Sequence, residues 1–110
     1  MGWHVYFAHF VAGLFLANAV PHFVNGISGA SFQSPFASPP GVGESSPLVN
    51  VLWGVANLVI GYALLFGVGQ FAGGISVDAL VVALGVLAAG VGLARHFGRV
   101  RQAGKGMPTN

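Results

Sequence analysis

Residues 79–94 read ALVVALGVLAAGVGLA, sixteen positions without one polar side chain, and Arg95 and His96 follow directly. A helix that crosses the hydrocarbon core of a bilayer needs about 20 mainly apolar residues. Asp78 stands immediately before the run and Arg99, Arg101 and Lys105 come after it, so charge brackets a spanning helix over about 75–97.

Working outward, the same pattern occurs twice more. The stretch 3–24, WHVYFAHFVAGLFLANAVPHFV, contains no Asp, Glu, Lys or Arg and as a helix would be roughly 33 Å long. A cleaved leader is the rival reading, because Ala17-Asn18-Ala19 resembles a small-residue cleavage site. It is opposed by the lack of Lys or Arg ahead of the run and by His4 and His9 at its start. A further span, about 47–71, opens on Ser45-Ser46-Pro47, where serine suits an N-cap and proline a first helical position.

Composition agrees with three crossings. Of the 110 residues 55% are hydrophobic and 5% charged, against roughly 25% charged in a soluble domain, and mean hydropathy is +0.78. Six charges would not solvate the surface of a water-soluble globule of this size. The absence of cysteine excludes disulfides, thiolate metal sites and a cysteine nucleophile. All four Lys and Arg residues lie in the last sixteen positions, so the basic balance describes a tail and gives no case for a nucleic-acid partner.

The expected architecture is an all-α integral membrane protein with three transmembrane helices forming a single membrane domain over 1–110. A long Gly/Pro/Ser-rich loop, 25–46, lies between helices 1 and 2, and a basic tail occupies 98–110. The tail places the C-terminus in the cytoplasm by the positive-inside rule; three crossings then put the N-terminus outside and the long loop inside. The bilayer in question is expected to be the cytoplasmic, or inner, membrane. Prolines 35, 39 and 40 stop a helix from running through the loop. Phe32 and Phe36 favour a segment folded back on the helices or lying in the interface over an exposed linker.

Each span carries one small or polar stripe at helical spacing. The stripes are His4, Phe7, Val11, Asn18, His22 and Asn25; Asn50, Gly54, Asn57 and Gly61; and Asp78, Gly85, Ala89, Gly92, His96 and Arg99. Such faces turn inward in membranes. Depth groups Asn18, His22, Asn25, Glu44, Asn50, Asn57 and His96 as a candidate polar pocket at the loop-bearing end, beside Pro21, which is expected to kink its helix. Interhelical hydrogen bonding without any ligand is the competing reading. Glu44 is expected to pair with Arg95 or His22. His9 falls on the far side of the wheel from Asn18 and His22, which implies a partner in another copy or another protein. Glycines 13, 67, 69 and 90 are left over as surfaces for close approach.

Recognisable chemistry is sparse. There is no paired-carboxylate motif, H-E-x-x-H, G-x-S-x-G or P-loop, so no catalytic residue is assigned and the balance is against an enzyme. His22 with His96 is the one credible pair for haem or a metal, and a weak one; no cofactor is expected. Two broad readings follow. One is a small non-catalytic subunit or assembly factor that forms homo-oligomers or docks on a larger membrane complex. The other is an oligomeric channel or transporter for a small solute or ion.

Overall fold

The computed structural model describes residues 1–105, so the last five positions of the expected basic tail lie outside the described residues. The elements are α1 (Trp3–Ile27), β1 (Phe32–Gln33), β2 (Glu44–Ser45), α2 (Pro47–Gly67) and α3 (Val77–Lys105). The chain is mostly helical, and all three helices are long and apolar enough to cross a membrane.

The helix boundaries have local causes. Ser46 caps α2 by accepting from the Val49 amide at 3.2 Å, with Pro47 in the first turn. Ser76 does the same for α3, accepting from the Ala79 amide at 3.0 Å. Helix α1 continues through Pro21 to Ile27, past the expected end near residue 24. Helix α2 stops at Gly67 rather than near 71, because Val68 is extended and Gly69 takes a positive φ of 62°. Helix α3 runs on beyond 97, where Phe97 and Arg101 pack on the loop residue Phe32.

Helix α1 is the centre of the molecule. It packs along both α2 and α3, while those two scarcely touch each other. The crossings depend on glycine. A Cβ at Gly85 would strike the carbonyl of Phe10, and one at Gly13 the carbonyl of Val82, so α1 and α3 meet backbone to backbone. On the other side of α1, Gly54 faces the Phe23 backbone and Gly26 faces Pro47 and Val51. This close approach of small residues is the usual way apolar helices associate without a hydrophobic driving force between them. Gly13 is thus used within the bundle, and Gly69 abuts Val5; Gly67 and Gly90 face open space.

The interior is polar and the exterior apolar. The largest fully buried side chains are His9, Asn50, Asn57, Asp78 and Ser34, whereas Trp3, Leu48, Leu52, Tyr62, Leu80 and Leu87 are all more than half exposed. The stripe expected on α2 is buried throughout: Asn50, Gly54, Asn57 and Gly61, with Leu65 added. The stripe expected on α1 needs correction. Its buried face runs through Val5, His9, Ala12, Ala19, His22 and Gly26, while Phe7 and His4 are exposed. On α3, Asp78 and Gly85 are buried but Gly92 and Arg99 are exposed, because α3 is covered along one side only.

The loop folds back over the helix ends. Strands β1 and β2 pair antiparallel, Phe32 opposite Ser45 and Gln33 opposite Glu44. The segment between them is closed by bonds from the Gly41 amide to the Ser34 carbonyl (2.8 Å) and from the Gly43 amide to the Pro39 carbonyl (2.8 Å).

Candidate functional site

Three layers of polar side chains run through the bundle. At the loop-bearing end, Asn50 is the organiser. The two hydrogens of its amide nitrogen are shared among the carbonyls of Phe32, Ser45 and Ser46, each 3.1 Å away. With the nitrogen committed to three carbonyls, the amide oxygen faces His22 Nδ1 at 2.8 Å. That arrangement assigns the proton to Nδ1 and leaves neutral His22 a lone pair on Nε2. One asparagine therefore ties the loop to α2 and sets the tautomer of a histidine on α1. Phe32 and Trp53 stack edge-on against the His22 ring, and Ser34 and Ser45 share a hydroxyl bond of 2.6 Å.

Around this support lies a small cavity of about 140 Å³, walled on its polar side by Asn18, His22, Gln33, Ser34, Trp53 and His96. His96 donates from Nε2 to the Gly41 carbonyl at 2.7 Å, which holds the loop down on α3. Two buried polar atoms in these walls have no partner among the described residues, Gln33 Oε1 and Trp53 Nε1. One is an acceptor and the other a donor, and leaving each unpaired costs about 1–3 kcal/mol.

One to two turns deeper, the Asn18 amide donates to Asn57 Oδ1 at 3.0 Å, and Asn57 donates to the Trp53 carbonyl at 2.8 Å. At the opposite end, His9 is fully buried and has both ring nitrogens engaged, Nδ1 with Asp78 Oδ1 (2.6 Å) and Nε2 with the Val68 carbonyl (2.8 Å). The second Asp78 oxygen accepts from the Ala72 amide at 2.9 Å. This cluster binds α1, α3 and the α2–α3 connection together.

The sequence-derived candidates divide accordingly. Asn18, His22 and His96 share the cavity wall. Asn50 stands behind His22, and Asn57 lies below, paired with Asn18. Asn25 instead bonds back to the Pro21 carbonyl on its own helix (2.7 Å). Glu44 is exposed and accepts from Gln33 (3.4 Å), pairing with neither Arg95 nor His22. His9 corrects an expectation: the partner its imidazole requires is Asp78 of the same chain, so it does not look outward for a second copy. Of the haem or metal pair, His96 has already committed Nε2 to Gly41, and among the described residues no group of three or more His, Cys, Asp or Glu could hold a metal ion.

Gln33, Ser34 and Trp53 were not anticipated. Trp53 lay within reach of periodicity, three residues after Asn50 and four before Asn57, on the same face of α2. Gln33 and Ser34 sit in a segment with no repeat to read. No protein-family model matches the chain, and neither the curated proteins nor the solved structures show a significant match to it.

Proposed function

We propose that this chain is a small integral membrane protein of three crossings that serves as a non-catalytic, self-associating or accessory subunit of a larger membrane assembly. The inverted distribution of polarity supports the membrane setting, since lipid accepts exposed Leu, Phe and Val and rewards polar groups that satisfy one another inside. Arg95, Arg99 and Arg101 lie at the loop-bearing end, which favours placing that end and the C-terminus in the cytoplasm across an inner membrane.

The observation that carries the assembly role is the open face of α3. Only 11% of its most apolar stretch is buried, against 33% for α1 and 28% for α2. Gly90, Ala94 and Gly98 recur every four residues on that face, all exposed, and a Cβ at either glycine would meet nothing. A small-xxx-small series in an apolar helix is suited to close contact with another helix. The partner is another copy of the chain or a helix of a larger complex.

The test is the mass of the protein in mild detergent, with and without Gly90→Leu. A particle heavier than one 11.2 kDa chain, or a stoichiometric partner, that is lost in the variant is the expected result. A monomer that binds nothing, or solute flux through liposomes containing the protein alone, overturns the accessory role.

A further inference from the structure

Charge at the loop-bearing end does not balance. The chain has two acids. Asp78 is committed to His9 and the Ala72 amide at the opposite end, and Glu44 accepts from Gln33. The His9–Asp78 contact is the sole ion pair among the described residues, so Arg95, Arg99 and Arg101 have no carboxylate partner there. All three are exposed. Arg101 leans on the Phe32 ring, its Cζ 5.5 Å from the centroid, which ties its guanidinium to the loop. Arg95 and Arg99 have no such tie.

Their place on α3 decides what can meet them. Four residues apart, they share one face of the helix, about 40° from each other and about 6 Å along the axis. The part of α3 ahead of them, residues 77–94, rises about 27 Å, close to the roughly 30 Å hydrocarbon thickness of a bilayer. Both arginines then fall within the next 8 Å or so, the depth of one headgroup layer. The helix before them is open to acyl chains, with Leu84, Leu87 and Val91 at least 46% exposed. Lipid phosphate is the anion native to that depth, whereas an acidic protein segment would have to be brought there. The planar guanidinium fork also matches phosphate oxygens in pairs.

We propose that Arg95 and Arg99 together hold the phosphate of one anionic phospholipid at the loop-bearing end of α3. The proposal rests on the membrane setting. It is independent of the assembly role, because at about 100° per residue the Gly90, Ala94 and Gly98 face is centred about 120° around the helix from the arginine pair.

The probe is an equimolar mixture of dioleoyl phosphatidylglycerol and dioleoyl phosphatidylcholine in nanodiscs, and the reading is the lipid retained by the full chain in native mass spectrometry. One phosphatidylglycerol per chain is expected, preferred over phosphatidylcholine by about twentyfold, since each basic residue at a membrane surface is worth about fivefold. Arg95→Gln or Arg99→Gln should cut the preference about fivefold, and the two together should bring it near parity. Both side chains are exposed, so helical circular dichroism should not change. Arg101→Gln removes the same charge from another face of α3 and should alter the preference by less than about twofold. Equal retention of the two lipids by the parent overturns the proposal. So does an equal effect of Arg101→Gln and Arg99→Gln, which would mean a diffuse field, or displacement of phosphatidylglycerol by inorganic phosphate. An acidic protein released by the double variant while both lipids are held equally overturns it as well. Failure of the chain to enter nanodiscs overturns the membrane setting itself; entry with equal retention overturns this proposal alone.

Discussion

Replacing Asp78 separates hydrogen bonding from charge in the buried cluster that joins α1 to α3. The carboxylate serves two groups, the His9 ring at 2.6 Å and the Ala72 amide at 2.9 Å, and Asp78 and His9 are 2% and 0% exposed. Asp78→Ala leaves both groups without a partner. At about 1–3 kcal/mol for each unsatisfied buried group, the loss should be about 2–6 kcal/mol. Asp78→Asn is different. Its amide can donate to His9 Nδ1 while its oxygen accepts from Ala72, and His9 still donates from Nε2 to the Val68 carbonyl. Every group keeps a partner, so this variant should stay within about 1 kcal/mol of the parent, the scale of a single interhelical hydrogen bond in a membrane. The assay is reversible unfolding in mixed micelles, followed by helical circular dichroism as the fraction of denaturing detergent rises. The reasoning fails if Asp78→Ala matches the parent, or if Asp78→Asn is as damaging as Asp78→Ala.

Further expectations follow from the same geometry. Asn50→Leu removes the His22 bond and both amide hydrogens shared among the carbonyls of Phe32, Ser45 and Ser46 and should release the loop, seen as faster amide exchange and proteolysis over residues 32–45 while the helices stay protected. Gly85→Val sets a side chain against the Phe10 carbonyl; α3 should detach from α1, with a loss above about 3 kcal/mol or failure to accumulate, and mild effects would exclude the backbone contact. Glu44→Gln alters an exposed group with one long bond and should change stability by less than about 0.5 kcal/mol; a large loss would mean Glu44 is an ion-pair clasp after all.

How much could be read in advance depended on how many neighbours a helix has. Helix α2 packs on one partner, and the spacing of Asn50, Gly54, Asn57 and Gly61 marked its buried face without ambiguity. Helix α1 packs on two, so its polar residues belong to different seams: His22 and Asn18 reach α2, and His9 reaches α3. Seeking one polar stripe on a helix with two buried sides put His9 outside and Phe7 inside. The loop was legible as a covering element through Phe32, which is 5% exposed, whereas Phe36 is 63% exposed and rests edge-on against Trp53. Its contacts were not legible, because Gln33, Ser34 and Gly41 are positioned by a two-residue ladder and by turn closure, neither of which has a periodic signature. For the candidate site, spacing located the histidines and asparagines. The unpaired atoms of Gln33 and Trp53 emerge only when packing shows which polar groups have found partners.

The arrangement of both outer helices around α1 has a consequence for biogenesis. Every group of the Asn50 network and of the Asn18–Asn57 pair lies in α1, the loop and α2, ahead of Asp78 in the chain. His9 and Val68 likewise precede the carboxylate that completes the histidine's shell. Asp78 is the polar attachment of α3 to α1, with the Gly13–Gly85 contact two turns further along. During synthesis the side-chain partners that join α1 to α2 are therefore all present before the one that joins α1 to α3.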